Sequence, residues 1–339
     1  MTLVNGVGLI MFSGVIAYAV FGGADFGTGF WDLTAGNSRR GGPLRSLIDH
    51  SLGPVWEANH VWLIFILVFL WTGFPVAFAA LSTTLILPLA AAALGIVLRG
   101  AGFAFRKFAA SLPAARTFGV LFAVSSLITP FFLGTVAGAV AAGRVPASGA
   151  GDRWTSWTGP TSLLGGILAV LTCAYLAGVF LAADSLRTGD SALGEQLRRR
   201  VVVVGAVTGT VVLGGALPLR ADAPTLYHRL SGQGIVFVVV SAAAGTLSLG
   251  MVLARRYAHA RVAATTAVVA VVAGWGFAQY PWVLVNALRL DQAAGARAAL
   301  MGLVWVGVGA LVIVVPSLTW LFRLAQRPSP LIDREPAGH

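Results

Sequence analysis

Nine runs of 19 to 25 residues, at 7–31, 54–72, 76–98, 117–141, 160–183, 201–219, 232–254, 262–285 and 300–322, are apolar and nearly free of charge. A helix needs about 20 such residues to cross the hydrocarbon core of a bilayer. The other spanning design, a β-barrel, requires segments of about ten residues with alternating polarity, whereas 85–98 is apolar on every side. The chain therefore reads as an all-α integral membrane protein with nine transmembrane helices. Only 10% of its 339 residues are charged, against about a quarter in soluble domains. No Lys or Arg precedes the first run, and the run exceeds the apolar core of a signal peptide, so a mature helix is expected there.

The formal net charge of +11 would suggest nucleic acid in a soluble chain. No basic stretch interleaved with aromatics is present, and none is expected to bind here. In a membrane protein, Lys and Arg mark the loops that stay in the cytoplasm. Of the 23 basic residues, 17 follow the odd-numbered spans and 6 the even-numbered ones. This places the N-terminus outside and the C-terminus in the cytoplasm. The lone Cys173 excludes a disulfide framework and thiolate-bound zinc or iron–sulfur centres.

One internal echo stands out. Val20-Phe21-Gly22-Gly23-Ala24-Asp25 is answered 159 residues later by Val179-Phe180-Leu181-Ala182-Ala183-Asp184, each followed by a Thr-Gly pair. Spans one and five run in the same direction, so a true repeat is parallel: four helices, four more, and one left over. Six-residue echoes also arise by chance in helices of this composition.

Ionisable groups within hydrocarbon are costly and usually functional. Nine of the twelve acids fall between or beyond the runs: Asp32, Asp49, Asp152, Asp190, Glu195, Asp222, Asp291, Asp333 and Glu335. Asp184, just past span five and near Arg187, reads as a solvated acid at a helix end. Asp25 lies among Phe21, Phe26, Phe30 and Trp31 inside span one. Glu57 and His60 share one face of span two, since residues three apart are neighbours on a helix. Glu-x-x-His can ligate iron, but a di-iron site needs two such motifs and two further glutamates, and the chain has three glutamates in all. Glu57 could simply favour the positive helix N-terminus. A polar track conducting protons through Glu57, Asn59 and His60 explains the pattern as well.

Haem ligation is constrained by the histidines, since His50, His228, His259 and His339 fall outside the runs and only His60 is at membrane depth. Any haems are expected in a partner. The cluster from Arg99 to Arg106 and Lys107 reads as snorkelling residues that set topology, with a capacity to neutralise nearby anions.

Three motifs together carry a resemblance: Gly22-Gly23-Ala24-Asp25-Phe26-Gly27-Thr28-Gly29, then the segment from Pro54-Val55-Trp56-Glu57-Ala58-Asn59-His60 to Val61-Trp62-Leu63-Ile64, then Arg99-Gly100-Ala101-Gly102-Phe103-Ala104-Phe105-Arg106. In this order, in a nine-span chain, they resemble subunit II of cytochrome bd quinol oxidase. The motifs cover about the first 110 residues; beyond them only span number, spacing and Tyr280-Pro281 support the likeness. The resemblance implies two four-helix bundles, 1–143 and 144–299, with a peripheral ninth helix and cytoplasmic tail at 300–339. It implies a bacterial cell membrane and a heterodimer with subunit I, which carries haems b and d and the quinol-oxidising loop. It leaves room for a small single-helix accessory subunit. It also implies that this subunit, with no cofactor of its own, lines a proton path from the cytoplasm to the oxygen-reduction site. Carried over by position, Asp25 matches the aspartate of the first motif and Glu57 the acid of the second, with His60 beside them. Some members have another acid where this chain has Gly22, and some have Asp where Glu57 stands.

Small residues in spans one and two (Gly22, Gly23, Gly27, Gly29 and Ala58) are expected to allow close approach of subunit I. A second function stays open on the residues alone: a proton-coupled permease using Asp25, Glu57 and His60.

Overall fold

The computed structural model describes residues 2–52, 56–109, 111–187 and 189–325. In chain order the helices are α1 (Leu3–Leu33), α2 (Ser38–Leu52), α3 (Trp56–Gly73), α4 (Pro75–Thr84), α5 (Ile86–Lys107), α6 (Leu112–Ala141) and α7 (Pro160–Arg187). Next come α8 (Ser191–Gly214), α9 (Ala216–Asp222), α10 (Pro224–Ser231), α11 (Ile235–Leu253) and α12 (Tyr257–Gln279). A short hairpin, β1 (Trp282–Leu284) with β2 (Leu288–Arg289), follows the cis Tyr280-Pro281 bond. The chain then continues as α13 (Arg297–Gly309), a π-helical turn (Ala310–Val314) and α14 (Val315–Ala325). Among the described residues, eight helices or helix runs are long and apolar enough to cross a membrane, and nine if the bent pair α3–α4 counts as one.

Local chemistry starts these helices where the chain needs them. Thr2 accepts from the Asn5 amide at 3.3 Å to cap α1, and Asp190 accepts from Leu193 at 2.9 Å to cap α8. Pro75 and Pro160 stand at first helical positions, where a missing N–H costs nothing. The turn expected at Gly73-Phe74-Pro75 is present and bends the chain by 116°. The third apolar run is nevertheless not one helix over 76–98. It breaks at Leu85 into α4 and α5, so the third crossing begins about ten residues later than its apolar start. The eighth helix, expected over 262–285, is shifted earlier and stops before Pro281, beyond which the chain turns back as the hairpin.

α1 runs through the middle of the molecule, packed on α3, α6, α7 and α12, while α5 lies on α6 and α11 on α12. Glycines set the closest crossings. A Cβ at Gly27 would fall 1.8 Å from the Cys173 carbonyl oxygen of α7, and one at Gly134 would fall 2.3 Å from the Gly165 carbonyl oxygen. Without a hydrophobic drive in lipid, such backbone proximity is a main source of helix association. Gly22, Gly23, Gly27 and Gly29 are all buried inside the chain. The small residues of α1 thus serve this chain's own packing, a correction to the expectation that they face another subunit; the side chain of Ala58 lies outside the described residues. Large apolar side chains such as Leu213, Leu217, Trp305 and Ile313 are exposed, as a lipid-facing surface requires.

Candidate functional site

The polar residues at membrane depth collect between α1, α3, α5 and α6. Asp25 is 2% exposed, and its Oδ1 accepts from Arg99 Nη2 at 2.5 Å. Arg99 is 1% exposed and also donates from Nε to Ser126 Oγ at 3.1 Å. Its guanidinium lies 5.0 Å from the Phe26 ring centre and 5.1 Å from that of Phe122. Arg99 is therefore not a snorkelling residue at a helix end but the buried counter-charge of Asp25. The start of α5 at Ile86 carries it into the bundle. Each aromatic face adds about 0.5–2 kcal/mol to holding a cation. Taking two ions from water is expensive, and removing one partner of a buried pair typically costs about 3–5 kcal/mol. Among the described residues Asp25 Oδ2 is buried without a hydrogen-bonding partner, so one carboxylate oxygen is fixed by arginine and the other is not.

Seven residues further along both helices the arrangement recurs. Asp32 accepts from Arg106 at 2.5 Å and from Arg45 at 2.7 Å, and Arg106 also pairs with Asp49 of α2. Arg106 lies 5.2 Å from the centre of the same Phe122 ring. Asp32 is 4% exposed and within α1, not in a loop as the apolar pattern suggested. Asp49 and His50 likewise belong to α2, Glu195 to α8, Asp222 to α9, His228 to α10 and His259 to α12. Asp333, Glu335 and His339 lie outside the described residues.

Asp184 is not simply solvated either. It pairs with Arg261 of α12 at 2.5 Å and Arg187 at 2.9 Å, and it accepts from Ser51 Oγ at 3.2 Å. Arg261 lies 4.8 Å from the Phe180 ring. Both aspartates of the sequence echo thus hold a partly or wholly buried arginine that also rests on a phenylalanine of the echoed segment or its immediate neighbour.

Of the residues singled out from sequence, Asp25 and His60 come together. The His60 ring meets Phe26 edge-on at 6.1 Å, and the charges of Asp25 and Arg99 both reach it. Asn59 is buried. Glu57 stands in the first turn of α3, but its side chain lies outside the described residues. Arg99, Arg106, Asp32 and Ser126 were missed as a unit. The available signal was the spacing, for Asp25 and Asp32 are seven apart, as are Arg99 and Arg106. Among the described residues, no group of three or more His, Cys, Asp or Glu side chains could hold a metal ion.

Fold and site define a polytopic helical membrane protein with a buried ladder of ion pairs in its first helices. Residues 5–325 match the family described as cytochrome bd terminal oxidase subunit II, and the chain belongs to that family. Two relatives come from Bacillus subtilis (strain 168). A putative cytochrome bd menaquinol oxidase subunit II is 24% identical over 226 residues, covering 65% of this chain and 64% of the relative. A cytochrome bd ubiquinol oxidase subunit 2 is 25% identical over 198 residues, covering 58% and 56%. The matched regions thus span less than two thirds of either relative. A chain of the bd oxidase from Geobacillus thermodenitrificans shares the fold, with a TM-score of 0.79 at 23% identity over 96% of this chain and 98% of that one.

Proposed function

We propose that the chain is a subunit of a quinol:oxygen oxidoreductase of the cytochrome bd type, in a bacterial cell membrane, supporting aerobic respiration. It pairs with a haem-bearing subunit I, which supplies the quinol and oxygen chemistry, and it lines a proton path from the cytoplasm towards the oxygen-reduction site. Family membership supports the oxidase assignment, and the relatives' own names mention menaquinol and ubiquinol. The observation that carries the proton path is the Asp25–Arg99 pair: a buried carboxylate with Oδ1 held by arginine and Oδ2 unpartnered among the described residues.

In this reading Arg99 keeps Asp25 in place and balances its charge, Oδ2 takes up and releases the proton, and Glu57 receives protons at the cytoplasmic start of α3. His60 assists from across Phe26. The chain itself holds no haem, the helices form two four-helix bundles, at 1–143 and 144–299, plus a ninth helix, and the N-terminus is outside. Nothing specific favours the permease alternative.

The test is turnover of the purified two-subunit complex. Asp25→Asn and Glu57→Gln should each leave haem content intact and slow quinol oxidation by more than about tenfold, within the range for loss of an acid–base group. His60→Ala should slow it less. Wild-type turnover from pH 6 to 8 in either fully assembled carboxamide variant removes that residue from the path.

A further inference from the structure

Two buried polar atoms on one stretch of α1 have no hydrogen-bonding partner among the described residues: Asp25 Oδ2 and Tyr18 Oη. Residues at i, i+4 and i+7 share a helix face, and Tyr18, Gly22 and Asp25 have that spacing. The Tyr18 ring leans along α1 towards Asp25. A Cβ at Gly22 would meet its edge at 3.0 Å, and the ring stands edge-on to Phe26 at 6.3 Å. The charges of Asp25 and Arg99 both reach the hydroxyl.

Seven residues of helix amount to about 10.5 Å of axial rise, and the Tyr18 ring lies over Gly22 between them. A carboxylate oxygen can only accept, whereas a phenol can donate and accept. Leaving such groups unsatisfied in an apolar interior costs about 1–3 kcal/mol each. Buried water resides where two to four polar partners converge, and these two atoms lie on one face of α1. The absence of a side chain at Gly22 is what lets the Tyr18 ring lie against the helix there.

We propose that Tyr18 extends the proton path two turns along α1 beyond Asp25, through a buried water hydrogen-bonded to Asp25 Oδ2 and Tyr18 Oη. This rests on the proposed role of Asp25. A proton leaves Oδ2 for the bridging water, that water passes one of its protons to Tyr18 Oη, and the phenol releases its original proton to a further water. Tyr18 is a neutral phenol before and after, and no redox step is involved.

Tyr18→Phe in the intact two-subunit oxidase keeps the ring against Gly22 and Phe26 and removes only Oη. Turnover should fall by about tenfold with haem content unchanged, at the low end for acid–base groups because a second water can partly replace the hydroxyl. The solvent deuterium isotope effect on turnover should rise. Gly22→Ala, which retains the phenol but displaces its ring, should slow turnover in the same direction and serves if Tyr18→Phe fails to assemble. Wild-type rate and isotope effect in Tyr18→Phe, with Asp25→Asn slow in the same assay, overturn the role of Tyr18 alone. Wild-type turnover in Asp25→Asn overturns the reading of Asp25 and this extension with it.

Discussion

Asp25 and Asp32 are two helical turns apart on α1, and each is bonded to an arginine 74 residues further along the chain. The equal offset means that α1 and α5, both packed on α6, keep one register, with the Phe122 ring of α6 reached by both guanidiniums. Asp32, with two arginines, has both oxygens engaged; Asp25, with one, has an oxygen with no partner among the described residues. The same pairing thus engages both carboxylate oxygens at one level and a single one at the other.

The Asp25–Arg99 pair should behave as a coupled unit in stability. Arg99→Met or Asp25→Asn alone should destabilise the assembled protein by about 3–5 kcal/mol, whereas the double variant should recover much of that loss because no unpaired charge remains buried. Thermal unfolding in detergent across the four-member cycle measures this. Additive losses would mean that the two side chains do not depend on each other.

Gly27→Ala should weaken the α1–α7 crossing, because the new Cβ has the Cys173 carbonyl in its way. The expected result is a lower Tm and reduced yield of this subunit itself. Gly209→Ala, on α8 with nothing within 4 Å, should be neutral or gain roughly 0.5–1 kcal/mol of helix stability. Equal behaviour of the two variants would remove the packing argument.

The uneven distribution of basic residues makes a topological prediction. A reporter fused after Arg323 should be cytoplasmic and one inserted in the loop 144–159 external. Opposite labelling of both would reverse the orientation and put the start of α3 on the outer side.

In that loop Asp152 accepts from the amides of Thr155 at 2.7 Å and Trp154 at 2.9 Å and from Thr155 Oγ1, and these bonds lower its pKa, the Thr155 amide foremost. Its native carboxyl should therefore titrate below the usual value of about 3.9. The contribution of these bonds is complete above that usual value and fades as pH falls through the lower, native one. Carboxyl carbon chemical shifts of Asp152 across pH 2 to 6 test this; a midpoint at or above the usual value would contradict it.

Much of the architecture was legible because apolar length alone identifies a crossing helix, and Gly-Pro chemistry marked the turn after Gly73. Hydrophobicity does not report where within an apolar run a helix starts. Arg99 was therefore read as the end of a span when it is an interior residue, and Asp32 was cut off from α1 although it is buried. Their partners lie 74 residues away, a distance over which sequence pattern gives no contact information. Asp25 could be recognised because its neighbours are aromatic and apolar. Tyr18 could not, since a lone tyrosine in a span carries no signal until its ring is seen lying over Gly22.

The break at Leu85 has a consequence for depth. α4 takes up ten residues of apolar chain that would otherwise have lengthened the third crossing, so α5 starts afresh at Ile86. Arg99 comes thirteen residues later, about 20 Å along a helix axis, well short of the far edge of a hydrocarbon layer about 30 Å thick. In this sense α4 is a spacer that sets how deep a guanidinium sits. One residue added between Ile86 and Arg99 rotates everything beyond it by about 100°, turning Arg99 away from Asp25 and Arg106 away from Asp32 in a single step.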